Sequence, residues 1–361
     1  MVVEGGDMDR KRTAVLWVLA IGSLVVLGGC TFFSQTKAVV DVSVTTGVVP
    51  LTVSFSADQS TSDAGISTVL WSFGTGEQTY DATGSYTYRH AGRYTLTLTV
   101  RSEDGGTDTE SIEIVVEPAA WICDENLDRV YKLDMNGAVL ESINLPVPEP
   151  MGLTVAEVAG ATWLFVACRG GGSQRILKVD PATGAVAEQY VAPGQNPLFM
   201  TYGADEIQRL WHVDGLSRKI YELNPSSGQV LDSFGTNYFH ASQQIGNETF
   251  LQTPYGLCWE ASGDEGRLWY LEGETGLLYA IEIHGAIDIF QGTQLEIVAD
   301  PIAVDPTLFP VQGMDLYDGV LWVVDRDEHR ILAVDPTTGQ RSGGQISGFP
   351  GAMTSGLAIQ R

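Results

Sequence analysis

A six-residue segment that recurs five times after residue 118 constrains the fold of this 361-residue chain more than any other feature. The five copies are Arg129-Val-Tyr-Lys-Leu-Asp134, Arg175-Ile-Leu-Lys-Val-Asp180, Lys219-Ile-Tyr-Glu-Leu-Asn224, Leu277-Leu-Tyr-Ala-Ile-Glu282 and Arg330-Ile-Leu-Ala-Val-Asp335. Three copies run into a turn that starts with Asp-Pro or Asn-Pro and ends in glycine. Such a turn suits a hairpin, because proline fixes φ and glycine accepts a positive φ. Regular internal repetition of this kind indicates a repeat architecture.

Two further strand-like segments precede the copies. The nearer one is aromatic and aliphatic, and its versions are Trp121-Ile-Cys123, Trp163-Leu-Phe-Val-Ala167, Leu210-Trp-His-Val213, Leu268-Trp-Tyr-Leu271 and Leu321-Trp-Val-Val324. The farther one joins a glycine to an apolar residue at Gly152, Gly256 and Gly313, with Leu198-Phe-Met200 as a version without glycine. The first unit lacks this farther strand, whereas Ser355-Gly356-Leu-Ala-Ile359 stands alone at the C-terminus.

A ring accounts for both observations, because the C-terminal strand then completes the first unit. Closure into a ring also leaves no sheet edge open to other chains. We therefore predict that residues 118–361 form a five-bladed β-propeller closed by the C-terminal strand. A sixth, degenerate blade within residues 285–312 is the alternative.

Two stretches of this region resemble the NHL, YVTN and virginiamycin-lyase-like propeller repeats. They are Pro254-Tyr-Gly256-Leu257 with Gly266-Arg-Leu-Trp269, and residues 321–336. The resemblance implies the propeller fold but no single activity, since such propellers include lyases, lactonases, cyclotransferases and non-catalytic binding rings.

Residues 38–117 have a different pattern. Leu51-Thr-Val-Ser-Phe55 and Tyr94-Thr-Leu-Thr-Leu-Thr-Val100 alternate apolar and polar residues, which predicts an antiparallel, Ig-like β-sandwich. Together with Trp71-Ser-Phe73-Gly74-Thr-Gly76, these segments resemble the PKD (polycystic kidney disease) domain. Ser72 and Thr75 replace the aspartates usual in that family's central motif, which argues against a metal-linked loop there. The resemblance implies a spacer or a contact module for protein or polysaccharide, and we expect a spacer.

The N-terminus predicts export and lipidation. Arg10, Lys11 and Arg12 precede an apolar run that ends at Leu27-Gly-Gly-Cys30. A basic region, a short apolar region and small residues before a cleavage point describe an export signal. The ending resembles the lipobox of bacterial lipoproteins, which implies a signal peptide at 1–29, a diacylated Cys30 and a tether over 30–37. An uncleaved membrane anchor is the alternative.

Thr31 bears on the destination of such a lipoprotein. In that family an aspartate after the cysteine favours retention in the inner membrane, and this chain has Thr31 instead. We therefore expect a cell-envelope, extracytoplasmic location, with the outer membrane or the cell surface favoured and the lipid anchor as the membrane contact.

The charge of the chain argues against one class of binding partner, and its cysteine pattern predicts the state of the thiols. The chain has 45 acidic and 20 basic residues, and its formal net charge of −25 would be repelled by phosphate backbones. We expect no nucleic-acid partner and a monomer. Cys123, Cys168 and Cys258 lie in apolar stretches without Cys-x-x-Cys spacing, which predicts buried free thiols. A disulfide between Cys123 and Cys168 is the alternative.

A ligand of this propeller would lie over the central channel. There the innermost strands begin and the turns between second and third strands emerge. The predicted ligand-binding residues are Glu149, Asn196, Gln252, Tyr255, Gln312 and Thr354. The turns add charged residues such as Glu125 and Arg169, although the matching pairs Asp124 with Arg129 and Asp325 with Arg330 favour contacts within a repeat. Amide, hydroxyl and aromatic groups around a channel suit sugars or peptides.

These observations lead to a binding or interaction module for a protein or glycan, with no catalytic residue and no cofactor assigned. The alternative is an extracytoplasmic enzyme of lactonase, lyase or cyclotransferase type. Resemblance to gluconolactonase-like propellers would then imply a channel calcium on Glu149 and Asn196. A third alternative is a scaffold subunit of an envelope assembly.

Overall fold

The computed structural model describes residues 35–203, 208–235, 254–262, 265–273, 275–283, 295–297, 300–351 and 354–361. In these ranges the chain forms 31 β-strands and one 3-10 helix, Pro306–Leu308. No helix among the described residues is long and apolar enough to cross a membrane. Cys30 and Gln252, about which the sequence makes predictions, lie outside the described residues.

The first ten strands build a two-sheet domain. They are β1 Thr36–Lys37, β2 Asp41–Val42, β3 Thr46–Val48, β4 Leu51–Ser56, β5 Thr61–Ser62, β6 Ile66–Ser72, β7 Gln78–Thr79, β8 Thr83–Tyr88, β9 Gly92–Ser102 and β10 Thr107–Glu117. One sheet has the order β3-β10-β9-β6-β7, the other has the order β2-β4-β8, and β1 pairs with β5. Within the larger sheet β3 and β10 are parallel.

The core of this domain lies between the two sheets. The alternation in β4 buries Val53 and Phe55, and β9 buries Leu96 and Leu98 in the same cluster. Trp71 is fully buried, and its ring centroid lies 5.0 Å from that of Phe55. The predicted β-sandwich is therefore confirmed, and the period-two pattern has the expected physical cause, since alternate side chains of a strand point to opposite faces.

The remaining strands form five sheets of antiparallel strands. They are β11 Ala119–Asp124, β12 Arg129–Asp134, β13 Val139–Asn144; β14 Pro150–Val158, β15 Ala161–Cys168, β16 Arg175–Val179, β17 Val186–Val191; β18 Pro197–Gly203, β19 Arg209–Asp214, β20 Lys219–Leu223, β21 Val230–Gly235; β22 Pro254–Ser262, β23 Glu265–Glu272, β24 Leu277–Ile283, β25 Leu295–Ile297, β26 Ile302–Ala303; β27 Val311–Tyr317, β28 Val320–Asp325, β29 Arg330–Val334, β30 Arg341–Ser347; and β31 Thr354–Gln360.

The C-terminal strand closes the ring. The first sheet has the order β13-β12-β11-β31, so the last strand of the chain is the innermost strand of the first blade. The innermost strands β31, β14, β18, β22 and β27 contact one another in that order, and β27 contacts β31. Both β25 and β26 pair with β24 and extend the fourth blade. The five-bladed propeller is confirmed, and the described strands within 285–312 form no sixth sheet.

The repeated glycines let the innermost strands approach closely. An irregularity in strand register interrupts the pairing near the start of each of these strands. A Cβ on Gly152 would lie 2.1 Å from the carbonyl oxygen of Leu198, and one on Gly313 would lie 2.8 Å from the Cα of Gly356. Glycine at these positions therefore allows backbone-to-backbone contact between neighbouring blades.

Candidate ligand-binding mouth of the propeller

The start of every innermost strand lies beside the end of the second strand of the same blade. The register pairs are Thr354 with Asp124, Pro150 with Cys168, Pro197 with Asp214, Pro254 with Glu272, and Val311 with Asp325. We call this rim of the channel the entrance mouth. It is the face on which the sequence places the predicted ligand-binding residues.

Buried carboxylates at this rim hold the turns between second and third strands. Asp214 is fully buried, and its carboxylate accepts hydrogen bonds from the backbone N–H groups of Ser217 and Asn196. Asp325 accepts a hydrogen bond from Arg330 Nε at 2.8 Å. The predicted contact between Asp325 and Arg330 is therefore confirmed. The matching prediction for Asp124 and Arg129 is wrong, since Asp124 Oδ2 and Arg129 Nε both lack a hydrogen-bond partner among the described residues.

Asp124 has spare hydrogen-bonding capacity. Its Oδ1 accepts hydrogen bonds from the N–H groups of Asn126 and Leu127, at 3.0 and 3.1 Å. Its Oδ2 is buried and has no hydrogen-bond partner among the described residues, as is also true of Thr354 Oγ1. A Cβ on Gly351 would lie 3.1 Å from Asp124 Oδ2 and 3.3 Å from Thr354 Oγ1, so both oxygens border the same small space.

Gln312 contributes a third buried polar atom without a hydrogen-bond partner to this rim. It lies on β27, the innermost strand next to β31, and its Oε1 is buried without a hydrogen-bond partner in the described part of the chain. Leaving a buried polar atom unpaired costs free energy on the order of 1–3 kcal/mol. This part of the mouth is therefore suited to a ligand, or an ordered water, that donates hydrogen bonds.

A network of charges surrounds Glu125, the residue that follows β11. Arg326 Nη2 lies 3.5 Å from Glu125 Oε2, and Arg169 Nη2 lies 3.8 Å from the same oxygen. Arg169 Nε also donates to Glu149 Oε2 at 3.0 Å. The network thus joins the first, second and fifth blades. Glycine follows the second strand in the third and fourth blades, at Gly215 and Gly273.

Burial governs the protonation of Glu125. Desolvation raises the pKa of this carboxyl group, and the guanidinium groups of Arg326 and Arg169 act in the opposite direction. Both arginines retain exposure, with 20 % and 37 % of their side chains accessible, whereas the Glu125 side chain is 6 % accessible. The Glu125 carboxylate therefore orients the guanidinium groups of Arg326 and Arg169, which still reach solvent at the mouth.

The other predicted residues occupy varied environments. Glu149 is exposed and has a φ of 57°, and the carbonyl oxygen of Asn196 accepts a hydrogen bond from Gly215. Tyr255 is half-buried and packs against Phe309, with 6.4 Å between ring centroids, so it forms part of the blade contact. Arg326 is the mouth residue that the sequence analysis missed. It stands at the same repeat position as Glu125 and Arg169, which is the signal that would have found it.

These residues do not fit the calcium site considered from the sequence. The Glu149 carboxylate is paired with the Arg169 guanidinium, and a cation in that position disfavours a second one. Among the described residues, no group of three or more His, Cys, Asp or Glu side chains is arranged to hold a metal ion.

The three cysteines are packing residues. Cys123, Cys168 and Cys258 are buried free thiols, which confirms that expectation over the Cys123–Cys168 disulfide. Burial raises the pKa of Cys168 to about 12 and that of the other two well above the ordinary thiol value. Thiols of this kind are poor nucleophiles at neutral pH.

Comparison with known proteins identifies the first domain. Residues 37–116 match the family model described as the PKD domain. A solved PKD1 domain from the Vibrio cholerae metalloprotease PrtV is 33% identical over 22% of this chain and 95% of that chain, with a TM-score of 0.20. No curated protein matches the chain.

Solved structures also resemble larger parts of the chain. A chain of a nidogen/laminin complex is 12% identical, covering 68% of this chain and 98% of that chain, with a TM-score of 0.45. A streptogramin B lyase is 14% identical, covering 76% of this chain and 83% of that chain, with a TM-score of 0.38. At these identities the likeness concerns the fold alone.

Proposed function

We propose that this protein is a lipid-anchored, extracytoplasmic binding protein of the bacterial cell envelope. Cys30 carries the lipid, the PKD domain spaces the propeller from the membrane, and the entrance mouth binds a protein or glycan ligand. The chain acts as a monomer and favours the outer membrane or the cell surface.

The arrangement around Glu125 is the observation that supports ligand binding most directly. Two arginines from different blades converge on one buried carboxylate and remain partly exposed. An arginine held by a buried acid loses less side-chain freedom when it binds an acceptor, which favours binding by preorganisation. A structural ion pair alone would not require a second arginine from the blade on the other side of Glu125.

The hydrogen-bonding inventory of the mouth defines the ligand chemistry. Three oxygen atoms of the mouth can accept hydrogen bonds but have no partner among the described residues. They are Asp124 Oδ2, Gln312 Oε1 and Thr354 Oγ1. The two arginines donate hydrogen bonds. A ligand that suits both groups offers several hydroxyl or N–H donors together with a carboxylate or carbonyl acceptor, as an acidic sugar or a peptide segment does.

Binding to arrays of acidic oligosaccharides and of peptides tests this proposal. The full chain is applied beside Arg326→Ala and the control Arg341→Ala, which changes an exposed arginine on outer strand β30. We expect Arg326→Ala to weaken binding of the recognised ligand at least about tenfold, the usual effect of losing a charged hydrogen bond. The control should bind like the parent chain.

Two results would contradict this function. If Arg326→Ala bound the ligand as tightly as the parent chain, the entrance mouth would not be the binding site. An absence of binding on both arrays would reject a protein or glycan ligand, and turnover of lactone or peptide substrates by the parent chain would then favour the enzyme alternative.

A further inference from the structure

A cavity of about 400 Å³ lies at the opposite end of the channel, where the sandwich meets the propeller. Its propeller wall includes the later residues of the innermost strands, among them Thr154, Thr201 and Asp315. Arg89 and His90, in the turn between β8 and β9 of the PKD domain, complete the lining. The volume is within the range of small-molecule sites.

The acidic groups that line this cavity already have partners. The Asp315 carboxylate accepts hydrogen bonds from the N–H groups of Leu316 and Ile359, at 2.8 and 2.7 Å. Glu157 lies 3.8 Å from the Nε2 of His90. The Asp315 carboxylate is therefore committed to holding the wall of the cavity, whereas Glu157 only lies near an exposed histidine.

Arg89 differs from them. Its side chain has no hydrogen bond or ion pair with the described residues, yet it borders this cavity and an adjacent one of about 370 Å³. Arg89 is exposed, so its guanidinium group can reach a ligand that enters from solvent. Its guanidinium group offers five N–H donors in a planar fork that matches a carboxylate.

The rest of the lining combines apolar and aromatic side chains with threonines, Gln360 and a second arginine, Arg361. Trp259 borders the cavity, is 2 % exposed, and its indole N–H has no hydrogen-bond partner in the described part of the chain. Val155 and Ile359 add aliphatic surface. This combination suits a molecule with an apolar body and one anionic end.

We propose that this junction cavity is a second binding site, and that its ligand is a small organic carboxylate with a ring-shaped apolar body. Arg89 pairs with the carboxylate, while the ring lies among Trp259, Val155 and Ile359. Because Arg89 belongs to the PKD domain and the other three residues to the propeller, the ligand contacts both domains. The PKD domain would then contribute directly to recognition in addition to spacing.

Isothermal titration of the full chain in a nonionic detergent tests the site, with indole-3-acetate as the probe and indole-3-acetamide as its uncharged analogue. We expect the acetate to bind and the acetamide to bind at least about tenfold more weakly, because only the acetate can pair with a guanidinium. Arg89→Ala should weaken acetate binding by a similar factor. Ala261→Phe, which adds a ring at the cavity lining, should weaken both probes.

Two control variants test whether the probe binds in the junction cavity. Arg93→Ala removes another exposed arginine of the PKD domain, one paired with Glu113 at 2.9 Å and absent from the cavity lining, and should leave binding unchanged. Arg326→Ala, at the entrance mouth, should also leave it unchanged, which separates this site from the one proposed above. Equal binding of acetate and acetamide, unchanged binding by Arg89→Ala, or no acetate binding at millimolar concentration would overturn the proposal.

Discussion

His212 shows how a single residue can couple this fold to pH. It lies on β19, is fully buried, and stacks against Tyr221 with 6.2 Å between ring centroids. Burial lowers its pKa from 6.5 to about 4, although the nearby Asp214 carboxylate acts in the opposite direction. The folded protein therefore keeps this imidazole neutral at pH values where the unfolded chain would protonate it.

The sign of the pH effect follows from this difference. As pH falls from 6.5 towards 4, unfolding takes up a proton at His212, so the free energy of unfolding decreases, by up to about 3 kcal/mol from this group. We expect His212→Gln to be less stable at pH 7.5 but to lose less stability than the parent chain between pH 6.5 and 4. Urea unfolding at several pH values measures this.

The exposed His90 supplies the control for that experiment. His90→Gln changes a histidine whose side chain is 62% exposed, and it should alter the pH dependence less than His212→Gln does. Parallel pH profiles for the parent and His212→Gln would show that burial of His212 does not set the acid sensitivity.

Residue identity at the mouth was only partly predictable from sequence. The turn residues Glu125 and Arg169 were candidates because they follow second strands. Arg326 stands at the same repeat position and was missed, and its pairing with Glu125, 201 positions away in the chain, forms only when the ring closes. Hydrogen bonds within one turn can be inferred from local sequence, whereas ion pairs between blades depend on ring geometry.

At the scale of the strand, the repeated glycine has a steric role that can be tested. Gly152 has no positive φ, so alanine would be acceptable to its own backbone, but the added methyl would overlap the Leu198 carbonyl of the next blade. We expect Gly152→Ala to lower the free energy of unfolding by about 3 kcal/mol, because two backbones would have to separate. Thermal and denaturant unfolding measure the loss.

Gly47→Ala is the matched variant for this measurement. Gly47 also lies in a strand without a positive φ, and its nearest obstacle is the flexible end of the Leu51 side chain. Its loss should be clearly smaller than that of Gly152→Ala. Equal losses would mean that strand glycines act through backbone entropy rather than through close contact between blades.

Strand patterns predicted the blades well but not their lateral contacts. The third-strand lysines Lys132 and Lys178 occupy the same repeat position. Lys178 Nζ lies 3.0 Å from Glu188 and 4.7 Å from the centre of the Trp163 ring, and Lys132 pairs with Glu141 at 3.4 Å. Periodicity identifies the strands, but it does not reveal which residues of the fourth strand lie opposite.

At the scale of the whole molecule, the order of the repeat units along the chain predicted that the ring closes. A first unit that lacked one strand and a last strand without a unit implied the pairing of β11 with β31, which the structure confirms. The position of the PKD domain had no comparable signal. The turn that holds Arg89 and His90 has no sequence feature that indicates its position, and only the assembled chain places it beside the channel.

The proposed lipid anchor would decide where the whole molecule acts, and a variant of Cys30 tests the proposal. Two or more acyl chains give stable membrane attachment, whereas one binds only marginally. We expect Cys30→Ala to lose incorporation of labelled palmitate and to leave the processed membrane fraction, whereas Thr31→Ala keeps both properties. Fractionation and metabolic labelling in a bacterial host measure these outcomes. If Cys30→Ala stays in the membrane like the parent, and the parent takes up no label, the apolar segment before Cys30 acts as an uncleaved anchor.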